Sequence, residues 1–156
     1  MKHFLLPLVA ITIFFSETAV FPSDNLREEG LKNSFNIVLI TIDTLRADHL
    51  SCYGYERKTS PNIDKIAQNG FIFNNAMAPS SWTAPSVASL CTSLYPISHG
   101  MVHGIADTIN NQEILSDNIT TLAELVKTRG YRTFGVVSNS HLDKKFGFGK
   151  GFDYFK

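Results

Sequence analysis

Asp43, Thr83, His99 and His141 carry the side chains best placed to do chemistry: a carboxylate to hold a cation, a hydroxyl to attack an electrophile, and imidazoles to donate or move protons. Asp43 directly follows Asn36-Ile37-Val38-Leu39-Ile40-Thr41-Ile42. In open α/β sheets, ligands bind beyond the carboxyl ends of the strands, and a carboxylate there suits a hard divalent cation. An Asp in such a place also serves as a turn former or a helix cap. Thr83 lies in Ser81-Trp82-Thr83-Ala84-Pro85-Ser86, just ahead of a helix. The positive helix end and its free N–H groups can hold an anion. A threonine becomes a nucleophile when a base or a metal lowers its pKa. Asp43 could bring that metal, which would make Thr83 a second metal contact. Plain N-capping by Ser81 or Thr83 is the competing reading. His99-Gly100 and His103-Gly104 follow the helix, and His141 follows Ser138-Asn139-Ser140. Loop histidines can donate hydrogen bonds or shuttle protons, or simply be solvated. A cation shared by Asp43 and Thr83, with each ligand oxygen about 2.0–2.6 Å from it, would hold their side-chain oxygens within roughly 5 Å of each other.

The elements that must position these residues follow from periodicity and punctuation. Residues 36–42 are a β-branched, nearly continuous apolar run, the pattern of an inner strand buried on both faces of a parallel sheet. Ser60 can cap a helix that Pro61 opens, with Ile63, Ile66 and Ala67 on one face and Asn69-Gly70 at its end. Phe71-Ile72-Phe73 reads as a short strand, and residues 78–83 as a loop. Pro85 starts the next helix, over 85–94 and beside the carboxyl end of the first strand, with Val87, Leu90, Cys91 and Leu94 at i, i+3, i+4 and i+7. Pro96 closes it. Residues 104–118 read as a surface loop. Thr120 can cap a helix with Leu122, Leu125 and Val126 inward, which Gly130 ends, and residues 131–137 read as a strand. This alternation of strands and helices predicts an α/β fold with a largely parallel sheet.

Composition narrows the class of partner. Apolar residues make up 44% and charged residues 18% of 156, which is ordinary for one globular domain and excludes a disordered chain. Net charge is zero and no Lys/Arg cluster stands out, so nucleic acid is excluded as a partner. Lys2 and His3, the apolar run over 4–15, and Ser16-Glu17-Thr18-Ala19 form the three regions of a secretory signal peptide. The run is shorter than the about 20 residues that span a bilayer, and Pro7 interrupts it; an uncleaved membrane anchor is the alternative. Residues 1–19 are thus expected to direct export to the periplasm or the cell exterior, with 20–35 as a leader. Cys52 and Cys91 could pair in an exported protein or remain small buried thiols. Their spacing makes no zinc site.

Several ordered stretches resemble the N-terminal part of the sulfatase family, of the alkaline phosphatase superfamily. They are Asn36-Ile37-Val38-Leu39-Ile40, Asp43-Thr44-Leu45-Arg46-Ala47-Asp48, Cys52-Tyr53-Gly54 and Thr59-Ser60-Pro61-Asn62-Ile63-Asp64. Further along come Thr83-Ala84-Pro85-Ser86 with Ser89-Leu90, Tyr95-Pro96, His99-Gly100, Gly130-Tyr131-Arg132-Thr133 and Gly151-Phe152-Asp153. The resemblance implies an alkaline-phosphatase-like α/β fold, a mostly parallel sheet flanked by helices. Residues 36–156 would be the N-terminal part of a catalytic domain, incomplete because the chain stops before the family's later strands and metal ligands.

The same resemblance puts Thr83 in the nucleophile position and Asp43 among the metal ligands, and it gives His99 and His141 contacts with the substrate or leaving group. The chain departs from the family at telling places. Sulfatases proper have a Cys or Ser, oxidised to formylglycine, where Thr83 stands, and an Arg where Val87 stands. Cys91 comes too late to substitute, so formylglycine is not expected. Thr44 replaces a second Asp, and Asn139 stands in place of the Lys of a Lys-x-His pair. Threonine nucleophiles occur in superfamily relatives that cleave or transfer phosphate esters. The implied function is a metal-dependent hydrolase of sulfuric, phosphoric or phosphonic esters, with calcium for a true sulfatase and zinc or manganese for a phosphoesterase. The implied partner is an anionic ester substrate, with the membrane touched only through an uncleaved N-terminal segment. A phosphate-group transferase of the same superfamily and a catalytically inactive exported fragment are the alternatives.

Overall fold

An apolar strand needs a neighbour for its backbone groups, and residues 36–42 find one upstream. In the computed structural model, which describes residues 9–15, 35–103 and 113–156, β1 (Val9–Phe15) pairs antiparallel with β2 (Asn36–Ile42), from Val9 opposite Ile42 to Phe15 opposite Asn36. The expected inner parallel strand is therefore corrected. β2 belongs to a two-stranded antiparallel ribbon, and all seven of its residues are exposed. A β-branched apolar run is specified for strand but not for its neighbour. Val9–Phe15 is such a run too, and an antiparallel pair needs no crossover helix to close it. Val9–Phe15 falls within the apolar run over 4–15 expected to act as an export signal; the leader expected over 20–35 lies, apart from Phe35, outside the described residues. No helix among the described residues is long and apolar enough to cross a membrane.

The chain divides into two units, one containing Phe35–Ala78 and the other Pro79–Lys156. In the first, Asp43 and Thr44 turn the chain out of β2, and Thr44 takes a φ of 59°, unusual for a β-branched residue. Short 3-10 turns at Ala47–His49 and Ser51–Tyr53 lead to α1 (Pro61–Asn69), with Pro61 in the first helical turn as expected. Ser60 precedes the helix but does not cap it with its side chain. Its hydroxyl is used elsewhere: it donates to Asp64 Oδ1 at 3.0 Å and accepts from the Ser51 N–H at 3.1 Å. The Cys52 N–H also donates to Asp64 Oδ1, at 3.0 Å. The Ser60–Asp64 pair thus ties the segment that follows Asp43 to α1. Phe71-Ile72-Phe73 forms no strand; it runs exposed, Phe71 at 94%, and the Phe73 carbonyl instead accepts from the Tyr53 hydroxyl at 3.2 Å.

The second unit holds α2 (Thr83–Thr92), α3 (Pro96–His99), α4 (Leu122–Thr128) and a parallel pair, β3 (Phe134–Gly135) with β4 (Tyr154–Phe155). The parallel pairing and the flanking helices give the α/β class expected from the sequence. Ala84, Val87, Ala88, Met101, Leu115, Leu142, Phe146 and Phe148 form its core, with Cys91, Ile119, Val137 and Phe155 packed at the edge. Val87 and Cys91 face inward as the spacing predicts. Leu94 lies beyond the helix, which ends at Thr92 where Ser93 turns left-handed (φ 58°), and it is exposed. Both cysteines are free thiols; burial pushes Cys91 up to about 11 and raises Cys52.

α4 differs from expectation in its cap and its inward face. Thr121, not Thr120, caps it: Thr121 Oγ1 accepts from the Glu124 N–H, and Glu124 Oε2 accepts from the Thr121 N–H at 2.9 Å, a capping box. Ala123 is buried, whereas Leu122 and Leu125 are exposed. Gly151 explains this. A Cβ there would sit 2.4 Å from the Glu124 nitrogen, so the chain passes against the first turn of α4 and only a small residue fits at the contact. The strand expected over 131–137 is only Phe134–Gly135. Gly135 lets the Phe155 ring lie where a Cβ would come within 2.6 Å.

Two polar clamps hold this unit. Lys150 Nζ donates to the Asp117 and Ile119 carbonyls at 2.6 Å each, with Glu124 Oε2 at 3.6 Å. Asp153 accepts from Lys127 Nζ at 2.6 Å and from the Thr133 N–H at 2.9 Å. The Lys127 ammonium and the Thr133 donors hold the Asp153 carboxyl down at about 2. A carboxyl so depressed adds stability that is complete above the ordinary carboxylate range, near about 3.9, and is lost as pH falls through the folded value. Asp153→Asn should therefore be less stable than the parent near neutrality and should converge on it at about pH 2 and below. Thermal melts across that pH range check this.

Candidate functional site

α2 begins earlier than its proline suggests. Thr83 is its first residue and Pro85 its third. A proline in the first turn removes an N–H that would have no intrahelical acceptor in any case. The N-cap is Trp82, in extended conformation and without a side-chain oxygen, so neither Ser81 nor Thr83 caps the helix. The approach is shaped by Ser80, whose Oγ accepts from the Trp82 N–H at 3.1 Å. Thr83 is half-buried at the positive end of the helix, while Ala84 and Val87 anchor that end in the core. One turn on, the Ser86 hydroxyl is buried without a hydrogen-bond partner.

His99 lies at the end of α3 and is only 2% exposed. The Met101 N–H donates to its Nδ1 at 3.2 Å. The neutral ring then carries its proton on Nε2, which donates to Ser89 Oγ at 2.9 Å. Burial pushes the His99 pKa down, partly opposed by the Pro85 carbonyl. A Ser–His contact of this length invites reading Ser89 as a nucleophile. The tautomer forbids it, because Nε2 has no lone pair with which to take the serine proton. His99 faces the interior of its unit and joins α3 to α2. His103, next in line and also followed by glycine, is exposed; its Nδ1 meets Glu113 Oε1 at 2.9 Å. Glu113 Oε2 accepts from the Val102 and His103 N–H groups at 2.7 and 2.9 Å. Burial raises the Glu113 pKa, but these donors outweigh it and hold the carboxylate below its usual value.

His141 is exposed on the 3-10 turn Ser140–Leu142, where Asn139 Oδ1 accepts its N–H at 2.9 Å. Leu142 on the same turn is buried with Ala84, Val87 and Ala88, so His141 rides on an element packed against α2. Thr83, His99 and His141 thus belong to one unit, and Asp43 to the other. Asp43 is exposed in the turn beyond β2. Nearby, Arg46 Nε donates to Asp48 Oδ1 at 2.8 Å, raising the Arg46 pKa and lowering that of Asp48; exposed pairs of this kind add little stability. Among the described residues, no group of three or more His, Cys, Asp or Glu could hold a metal ion. Sequence reasoning missed the inward Ser89–His99 pair and the Ser60–Asp64 tether. The four-residue spacing of Ser60 and Asp64 at a helix start was a usable signal for the second; nothing local marks the first.

The family model for sulfatases matches residues 35–156. Human arylsulfatase H is 39% identical over 112 residues, which cover 69% of this chain and 20% of that protein. The N-acetylgalactosamine-6-O-sulfatase of Bacteroides thetaiotaomicron is 39% identical over 107 residues, again 69% of this chain and 20% of that protein. Human iduronate 2-sulfatase is 28% identical over 143 residues, 87% of this chain and 25% of that protein. The chain spans about a fifth to a quarter of the length of these relatives. No solved structure matches it.

Proposed function

The chain belongs to the sulfatase family, and from that premise we propose that it carries the nucleophile-bearing part of an exported ester hydrolase. The observation that supports this most is Thr83 at the first position of α2, heading the Thr83-Ala84-Pro85-Ser86 segment. Thr83 Oγ1 attacks the sulfur or phosphorus of an anionic ester, loses its proton to a base, and expels the alcohol, which takes up a proton. Water then cleaves the enzyme ester, releases the sulfate, phosphate or phosphonate group with whatever substituent it still carries, and restores the hydroxyl. His141, exposed beside α2, is the candidate to protonate the leaving group. His99, turned inward, acts on Thr83 through α2 and not on the substrate. Thr83 and Val87, standing where formylglycine chemistry needs Cys or Ser and an Arg, favour a threonyl ester over a formylglycine hydrate.

Asp43 and Thr83 offer oxygen donors of the hard kind that calcium takes, and that zinc or manganese accept in phosphoesterases. Two donors are fewer than the about four to eight such ions require. The described residues therefore do not make a complete cation site, and further donors have to join them. A divalent ion, when bound, would screen the charge of the anionic ester. Asp43→Asn in the intact protein is expected to raise the metal concentration needed for half-maximal ester cleavage by at least about tenfold, the scale on which even residues supporting a metal ligand act. Aryl sulfate, phosphodiester and phosphonate ester should be compared, with chelation and re-addition of each ion. An unchanged metal requirement would remove Asp43 from the site. Product formed only when an acceptor alcohol is supplied would assign the protein to phosphate-group transfer. No turnover on any ester under any ion would leave the inactive-fragment reading.

A further inference from the structure

α2 has no side-chain cap at its start, and its hydrophobic anchors are small: Ala84, Val87 and Ala88. Something else must fix its rotation and height. His99 reaches it through Nε2, which meets Ser89 Oγ at 2.9 Å. Its other nitrogen is held by the Met101 N–H at 3.2 Å. We propose that His99 is a positioning residue which, as the neutral ring protonated on Nε2, locks the first two turns of α2 and so the place of Thr83. The effect on turnover rests on the reading of Thr83 as nucleophile; the effect on the helix does not.

The lock works in one protonation state. A cationic ring would carry hydrogens on both nitrogens, and its Nδ1–H would face the Met101 N–H, donor against donor. Little around it would offset the charge. α2 and α3 carry no Asp, Glu, Lys or Arg, and the Cys91 thiol on α2 is neutral, its pKa pushed up to about 11. Glu113 is the charged group that acts on His99, and its oxygens are already engaged by His103 and by the Val102 and His103 N–H groups. Burial lowers the pKa of His99 accordingly. The lock is therefore complete above the usual imidazole value of about 6.5 and is released as pH falls below it.

The test uses the full chain with 15N-labelled histidine, read by imidazole nitrogen spectra and by amide exchange along α2. Near neutrality His99 should show the Nε2–H tautomer alone. On acidification it should protonate below the usual imidazole value of about 6.5, and the Ser86 and Ser89 amides should lose protection in step, by roughly tenfold for one lost hydrogen bond. His99→Gln can donate from its amide nitrogen and accept at its oxygen, so it should keep the helix protected at every pH. His99→Phe fills the space without either bond and should lose the roughly tenfold at every pH. If His99→Phe does not fold, Ser89→Ala removes one acceptor and should give a smaller loss of the same kind. An Nδ1–H tautomer in the parent, or α2 amides that stay unmoved while His99 titrates, would overturn the proposal. In turnover, the parent should show an acidic limb in kcat that His99→Gln lacks. If Thr83 is not the nucleophile, that limb disappears from the parent while the amide step remains, so the two failures are told apart.

Discussion

Replacing Thr83 by Ala is expected to abolish ester cleavage, with a fall in turnover of at least about a thousandfold, while the fold survives. Losing the hydroxyl removes the covalent route altogether, because no other residue of the segment stands at the head of α2. The structural cost should be small. Trp82 and not Thr83 is the cap, so even the about 0.5–2 kcal/mol of a lost cap is an upper bound, and alanine is the better helix former. α2 stays anchored through Ala84, Val87 and Ala88 and through His99. A collapse in rate with a nearly unchanged melting curve is therefore the signature. Thr83→Cys is the informative companion. It restores the lead residue of sulfatases proper but leaves Val87 in place of their Arg, so mass spectrometry should find little or no formylglycine. Parental turnover in Thr83→Ala would sink the nucleophile assignment and put a directly attacking water in its place.

Phe146→Ala should cost about 3–5 kcal/mol, the range for deleting a buried aromatic ring. Phe146 is 2% exposed and, among the described residues, the largest of the fully buried side chains. It lies among Leu115, Leu142, Phe148 and the inner face of α2, and its carbonyl accepts from the Leu115 N–H at 3.0 Å. Its neighbours cannot easily close the gap. A Cβ at Gly147 would already lie 2.9 Å from Leu115, so Leu115 is pressed against the backbone it would have to cross. Against a typical net stability of about 5–15 kcal/mol, such a loss empties much of the native state. Denaturant midpoints measure it, and a loss below about 1 kcal/mol would show that the core re-forms without the ring. The α2 anchors belong to the same core, so Phe146→Ala should also cost activity in proportion to the unfolded fraction.

What could be read from the sequence was mostly local. Pro61, Gly70, Gly130 and the periodicity of 85–91 place α1, α2 and α4 to within a few residues, because helix starts and stops are written in short-range sterics. The place of Thr83 at a helix start was legible for the same reason, although α2 begins at Thr83 itself and not at Pro85. Features decided by distant neighbours were not. β2 has the composition of a buried strand, but composition does not name a partner, and it took an antiparallel one in Val9–Phe15. Phe71-Ile72-Phe73 had the right residues for a strand and no ladder to join. The inward face of α4 is set by Gly151, far along the chain, not by its leucines. His99 and His103 carry the same His-Gly dipeptide, yet one is buried against Ser89 and the other is exposed beside Glu113.

The clamp around Lys150 has a chemical consequence. Its ammonium is turned inward onto the Asp117 and Ile119 carbonyls, and its side chain is only 17% exposed. A reagent that acylates amines must reach the nitrogen, and this one is engaged by two carbonyls on a side chain largely withdrawn from solvent. A protease that cuts after lysine must draw the side chain into its own pocket, and to do so here it would have to break both carbonyl bonds. In the folded chain Lys150 is in effect a masked lysine, whereas Lys144 and Lys145 on the neighbouring turn are exposed.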